Sequence, residues 1–368
     1  MASAVPHPET VATRAHPSDR LGRPLGVLRL SLTARCNLAC PYCLPDGVEP
    51  PGLLTLAQRL RVIEAAVALG VRSLRLTGGE PLLHSQLEEL IRAVQPLRAR
   101  GLGEIALTSN GVLLSAERAR ALRAAGLDRI TLSLDGTTGA AVARMAGLGD
   151  GGAGERTLAQ VLAAIEHARA AGFDPAQGGL KLNAVIQRGA NDDQLLPLAA
   201  LARERGLELR LIEFMDVGNR NGWREAQVLP AAEMVERIGS RWPLEPVGRP
   251  AHGTASRWRY RDGGSESGGT GGAGQLAVVA SVSAPFCGDC NRLRVTADGV
   301  AYTCLFASPG SGLDLKPWLQ EKQAGPKLEL AMAAHWNQRS DRYSEERNTT
   351  NSTNSTKSTR AEMAYLGG

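Results

Sequence analysis

Aromatic side chains are few: Phe, Trp and Tyr together make up 4% of the 368 residues. A protein that grips nucleic acid by stacking bases needs aromatics among its basic residues, so a zinc-dependent nucleic-acid binder is poorly matched. Charge of one sign is also lacking. The 42 Lys and Arg stand against 37 Asp and Glu, a formal charge of +5, which suits an anionic small molecule as well as a polyanion. No run of about 18 apolar residues occurs, so no segment is expected to span a membrane. The start of the chain has no apolar core of a secretory signal. A disulfide framework is missing too. The six cysteines fall in two trios, 36/40/43 and 287/290/304, and an odd set leaves a thiol over however it pairs. Such usage suits a reducing compartment, with the cytoplasm as the expected location. With 43% hydrophobic residues the chain can bury a sizeable core, and its length allows one large domain with an appendage.

The stretch that organises the chain is Cys36-Asn-Leu-Ala-Cys40-Pro-Tyr-Cys43, directly after the strand-like run Val27–Leu32. A [4Fe–4S] cube takes four thiolates. Three leave one iron open to a small molecule. A closed zinc site wants four ligands, and no His or further Cys lies nearby. This C-x3-C-x2-C spacing, with Tyr42 before the last cysteine, resembles the signature of the radical S-adenosylmethionine (SAM) superfamily. The resemblance implies that SAM chelates the open iron and that one electron cleaves it to methionine and a 5′-deoxyadenosyl radical.

Short β-like runs recur at Val27–Leu32, Ser73–Leu76, Glu104–Thr108, Arg129–Leu134, Leu180–Ile186 and Leu207–Phe214. Between them, helical periodicity marks Thr55–Ala68, Gln86–Ala99, Ala116–Ala125, Arg156–Ala171 and Asp193–Arg205. Such alternation gives a parallel sheet with helical crossovers. About six units fall short of the eight of a closed barrel. An open doubly wound sheet fits the alternation equally; the resemblance favours an α/β fold built as an incomplete (βα)6 TIM-type barrel over residues 23–235. The polar turns Thr77–Pro81, Thr108–Gly111, Ser133–Gly136 and Met215-Asp216 all follow strands, where barrel active sites form.

Residues 1–22 read as a flexible arm and residues 236–346 as a cluster-binding extension. Residues 347–368 read as a flexible tail ending in Gly-Gly. Gly263–Gly274 is a flexible loop by composition, without the Lys-Ser/Thr of a phosphate loop. Residues 348–359 are a low-complexity Asn/Ser/Thr tract. The second trio, C-x2-C-x13-C, fits an incomplete zinc site or a second open cluster. Arg292 and Arg294 alternate just after Cys290 and would point to one side of a strand. Two guanidiniums beside a cluster suit a polyphosphate.

The two trios, the Gly-Gly-Glu-Pro turn, the paired arginines and the final Leu-Gly-Gly together resemble the GTP 3′,8-cyclase branch of that superfamily, the first step of molybdenum cofactor (molybdopterin) biosynthesis. The resemblance covers residues 20–346 and the last few residues. It implies a [4Fe–4S] cluster on Cys36, Cys40 and Cys43 and a second on Cys287, Cys290 and Cys304. It places Tyr42, Gly79, Ser133 and Met215 around SAM. Arg29, Arg75, Thr108, Lys181, Arg292, Leu293 and Arg294 are placed at GTP, and the Gly367-Gly368 tail in the chamber. No acid or base is implied, because hydrogen abstraction from C3′ and addition to C8 of guanine give 3′,8-cyclo-7,8-dihydro-GTP by radical chemistry. A homodimer, a one-electron donor and the enzyme making cyclic pyranopterin monophosphate are the implied partners. Ala34 stands where the family often has an acidic residue, and residues 263–274 and 348–359 have no family counterpart. A peptide-modifying radical SAM enzyme is the competing reading, which a polyphosphate clamp disfavours.

Overall fold

The structure is a computed structural model that describes residues 16–45, 47–263, 274–320, 324–350 and 360–367. Most of the Gly-rich loop, residues 351–359 and Gly368 lie outside the described residues.

Six strands follow the expected order: β1 (Val27–Ser31), β2 (Ser73–Thr77), β3 (Glu104–Ser109), β4 (Arg129–Ser133), β5 (Leu180–Ile186) and β6 (Glu208–Glu213). Each pairs in parallel with the next. Crossovers run through α1 (Leu56–Ala68), α2 (Leu87–Ala93), α3 (Ala116–Ala125), α4 (Gly139–Ala146), α5 (Gly151–Ala170) and α6 (Leu195–Glu204). Caps explain several starts. Thr55 and Gln58 form a capping box on α1, and Ser115, Thr138 and Asp150 accept backbone N–H groups at α3, α4 and α5. The helix expected over Gln86–Ala99 is split. Pro96 has no N–H to continue the ladder, and a 3-10 turn, Gln95–Arg100, follows α2. Glycines, poor helix formers, hid the start of α5.

The extension contributes α7 (Ala231–Arg241), β7 (Leu244–Gly248), β8 (Ser256–Tyr260), β9 (Gln275–Val279), β10 (Arg292–Val295), β11 (Val300–Tyr302), β12 (Leu313–Asp314), α8 (Lys316–Leu319), α9 (Ala324–Asn337) and α10 (Tyr343–Thr350). Two of these strands enlarge the barrel. β9 joins β6 in parallel and β10 joins β1 in parallel. The parallel part of the sheet thus runs β10-β1-β2-β3-β4-β5-β6-β9, and among the described residues it does not close. The added strands are apolar where they meet the core, with Leu276, Val278, Leu293 and Val295 buried, as parallel strands covered on both faces require. Glu213, wholly buried at the end of β6, accepts N–H groups from Ala231 at 2.7 Å and Val282 at 2.7 Å. It ties the start of α7 and the loop after β9 to the barrel.

Parts of two segments expected to be loose are packed. Of the arm expected over residues 1–22, residues 1–15 lie outside the described residues, and the rest runs against the extension: Ser18 bridges Pro24, and Asp19 is buried in an ion pair with Arg23. Residues 360–367 return to the barrel, with Leu366 1% exposed. In both cases specific partners, not propensity, hold the chain.

Candidate active site

Strand alternation builds the site. Along β1, Leu28 and Leu30 are wholly buried toward the helices, so Val27, Arg29 and Ser31 face the lumen. The parallel register sets Arg29 beside Arg294 on one side and Arg75 on the other. In-register residues share a face, so three guanidiniums stand in one row. Further round, Ser133, Asn183 and Arg210 are register neighbours, as are Thr108, Thr131, Lys181 and Glu208. Like charges placed side by side in a sheet are unfavourable. Burial and the neighbouring Arg294 and Arg75 push Arg29 well below its ordinary value. Burial, helped by nearby cations, brings Arg75 to about 9 and Arg294 to about 10. Burial takes Arg210 to about 10 against the pull of Glu208. This lumen is built to receive an anion.

The cavity it encloses measures about 310 Å³, and all six cysteines line it. Every one is a free thiol. The chemistry of the donors fits iron–sulfur clusters: three thiols per site, opening inward on the cavity, with N–H groups directed at sulfur. Asn110 Nδ2 donates to Cys36 Sγ at 3.8 Å, Arg292 Nε and Nη2 to Cys290 Sγ at 3.3 and 3.1 Å, and the Phe306 N–H to Cys304 Sγ at 3.4 Å. Burial raises the Cys36 and Cys40 thiols, and takes Cys43 and Cys304 to about 12. At Cys290 burial is outweighed by Arg292 and Arg339, which bring it down to about 6.

Around the first trio the Gly-Gly-Glu-Pro turn crosses the cysteine loop. Gly79 N donates to Thr33 O at 2.8 Å, and a Cβ on Gly79 would lie 2.1 Å from Arg35 O. Glycine is needed there for one backbone to cross another. Glu80, 1% exposed, accepts from Ser109 Oγ at 2.8 Å and Asn110 N at 2.8 Å. Tyr42 donates its hydroxyl to Asp135 at 2.7 Å, and Asp135 also accepts the Val185 N–H at 2.8 Å. Tyr42, Gly79, Ser133 and Met215 all line the cavity.

Of the residues expected at the second ligand, Arg29, Arg75, Thr108, Arg292 and Arg294 line the cavity. Two do not. Lys181 is committed to Glu208, Nζ to Oε2 at 2.9 Å, below the cavity lining. Leu293 is wholly buried, because strand alternation turns it to the core side between two lumen-facing arginines. The tail is close at hand. Arg29 Nη2 donates to Gly367 O at 2.7 Å and Arg294 Nη1 to Leu366 O at 3.3 Å. Gly367 has φ +73°, and a Cβ there would meet Thr77 Oγ1, so only glycine fits. Gly368 lies outside the described residues.

Sequence reasoning passed over Arg129, Arg210 and Arg339, and it marked Glu80, Asn110 and Asp135 only as members of polar turns; all six line the cavity. The signal for Arg210 was present. β6 reads Glu-Leu-Arg-Leu-Ile-Glu, and a charged residue alternating with buried leucines on a barrel strand points to the lumen.

Two family descriptions match the chain: the Radical SAM superfamily over residues 30–202 and Molybdenum Cofactor Synthesis C over residues 207–345. The chain is 64% identical over 358 residues to a GTP 3′,8-cyclase of Synechococcus sp. (strain CC9605), covering 95% of this chain and 98% of that one. It is 60% identical to its namesake in Synechococcus sp. (strain CC9902), with coverage of 95% and 98%. To that of Acidothermus cellulolyticus it is 44% identical, covering 89% of this chain and 88% of the other. With a cavity lined by two cysteine trios and a row of arginines, and with similarity along nearly its whole length, the chain belongs to the GTP 3′,8-cyclase family of radical SAM enzymes.

Proposed function

We propose that SAM and GTP meet in the single cavity between the two cysteine trios, each held by its own end of the chain. The chain is a radical SAM enzyme that converts GTP to (8S)-3′,8-cyclo-7,8-dihydroguanosine 5′-triphosphate, using two [4Fe–4S] clusters and SAM. When bound, the cluster on Cys36, Cys40 and Cys43 supplies the electron that cleaves SAM, and the cluster on Cys287, Cys290 and Cys304 supplies an open iron for the guanine. The protein's own part is to bind, orient and exclude water. Tyr42, Gly79, Ser133 and Met215 surround SAM. Arg29, Arg75 and Arg294 bind the triphosphate, with Arg292 and Thr108 beside them. The fork geometry of arginine matches phosphate oxygens. Lys181 acts through Glu208 in this reading, and Leu293 contributes only backbone. Gly367, with Gly368 beyond it, closes the chamber.

The observation that carries the assignment is the in-register row Arg294–Arg29–Arg75, opening on a cavity that both trios share. A peptide substrate has no use for such a row. Residues 23–235 serve as the SAM-cleaving unit and residues 236–346 as the substrate-side unit. No helix among the described residues is long and apolar enough to cross a membrane. Six free thiols favour the cytoplasm, with a one-electron donor, the enzyme that makes cyclic pyranopterin monophosphate and a second copy of the chain as partners. The test is anaerobic reconstitution with iron and sulfide, then incubation with SAM, reductant and GTP. Mass spectrometry should find 5′-deoxyadenosine and the cyclised nucleotide. 5′-Deoxyadenosine without a cyclised nucleotide would sink the assignment.

A further inference from the structure

The Radical SAM match begins at residue 30, yet the stretch before it reaches the second trio. Arg23 is 2% exposed, and its Nη1 donates to the carbonyl oxygens of Cys287 at 2.8 Å and Asp341 at 2.9 Å. Arg339, 4% exposed, donates from Nη1 to the carbonyl of Cys290 at 2.6 Å. Two carboxylates balance the charge. Asp19 pairs with Arg23 and lies 3.5 Å from Arg339 Nη1. Asp341 accepts from Arg339 at 3.1 Å, and its Oδ2 accepts from Thr303, the neighbour of Cys304, at 2.8 Å. Beneath them Trp336, wholly buried, donates Nε1 to Arg23 O at 3.0 Å, and the Arg339 guanidinium lies 4.7 Å from its ring centroid.

Buried guanidiniums need partners, and Asp19 and Asp341 supply them. Each arginine nonetheless turns a donor to the backbone of a cysteine of the trio. Groups placed behind metal ligands fix the ligands' orientation and tune the metal, and charge and hydrogen bonding around a cluster set its potential. Resting on the reading that Cys287, Cys290 and Cys304 hold the second cluster, we infer that Arg23 and Arg339 are positioning residues for that cluster, clamping two of its ligands by their carbonyls and raising its reduction potential. The N-terminal stretch is then part of the substrate-side site, far in sequence from the residues it serves.

The test uses the full chain with Cys36, Cys40 and Cys43 changed to Ala, so that only the second cluster remains. Iron and sulfide per chain, the melting temperature and a redox titration followed by electron paramagnetic resonance are measured after anaerobic reconstitution. Arg339→Gln and Arg23→Gln should each make the cluster at least tenfold harder to reduce, about 59 mV for one electron. Arg339→Lys, which keeps the charge, should recover part of the shift. A lower melting temperature with an unchanged potential would show that the arginines only anchor the N-terminal stretch, and would overturn the inference. Where Arg339→Gln does not fold, Arg23→Gln is read alone, and an unchanged potential there has the same meaning. If the parent chain with both arginines intact holds no iron, the trio assignment itself fails and the inference falls with it.

Discussion

Arg294 stands beside Arg29 in register and is only 6% exposed. A hydrogen bond to a charged partner contributes roughly 1.5–3 kcal/mol. Arg294→Ala should therefore weaken GTP binding by about ten- to a hundredfold, while SAM binding is retained; isothermal titration with each ligand separates the two. Arg210→Ala should weaken GTP binding in the same way, because Arg210 lines the cavity. Lys181→Ala is expected to act mainly by taking from Glu208 its nearest cation, at 2.9 Å against 3.6 Å for Arg210 and Arg257, and so to lower stability more than affinity. Equal losses of GTP affinity for Arg210→Ala and Lys181→Ala, with no change in melting temperature, would reverse those two roles. At this scale the cysteines and Arg292/Arg294 were legible, because spacing alone marks them. Arg129 and Arg339 were not, because an arginine at a strand start or in a turn reads the same whether it faces solvent or a lumen, and Arg210 was marked only by its alternation with the buried leucines of β6.

Among the elements, the segment 360–367 shows how a tail with no secondary structure is placed. Arg360 Nη1 donates to Asp216 O at 2.6 Å and to Asp216 Oδ2 at 3.0 Å, and Asn219 exchanges hydrogen bonds with the Arg360 backbone. Tyr365 donates its hydroxyl to Asp298 at 3.0 Å. Burial alone would raise the Asp216 carboxyl, but hydrogen bonds from Arg347 and Tyr343 and the charges of Arg347 and Arg360 hold it below its ordinary 3.8. A depressed carboxylate contributes stability above its unfolded value and loses it only as pH falls through the folded one. The anchor should thus hold without change from neutral pH down to about 4. Arg360→Ala should cut GTP cyclisation at least tenfold while iron content and SAM affinity stay at parental levels, and added Leu-Gly-Gly-type peptide should restore part of the product. Unimpaired turnover in Arg360→Ala would show that the tail finds its slot without this contact. The strands and most crossovers were readable from periodicity and caps. The tail's path was not, since Asp216 and Asn219 lie more than a hundred residues away and no local pattern announces them.

For the whole molecule, the six expected strands form the partial barrel, and among the described residues two more parallel strands, β9 and β10, join it from the extension. Short apolar runs do not say which sheet edge they will join. The two trios sit in different connections of that sheet, one after β1 and the other before β10 and after β11, and so can be emptied separately. Converting Cys36, Cys40 and Cys43 to Ala should halve the iron and abolish SAM cleavage. Converting Cys287, Cys290 and Cys304 should also halve the iron yet leave some uncoupled SAM cleavage. Full iron content in the second triple variant would refute two independent clusters.

The row of guanidiniums has a further cost and use. Burial first, and the adjacent positive charges after it, lower the values of Arg29, Arg75 and Arg294, so a bound anion offsets part of the cost of holding these guanidiniums in one wall. The triphosphate is therefore a counter-ion for the scaffold as well as a handle on the substrate. A ligand that binds only the folded chain at a hundred times its Kd stabilises it by about 2.7 kcal/mol, and inorganic triphosphate alone should give a measurable rise in Tm. Arg29→Gln, which also gives up the bond to Gly367 O, should respond less than the parent when triphosphate is added. Loading the substrate thus neutralises the wall that recognises it, so that occupancy of the chamber is legible as resistance to heat.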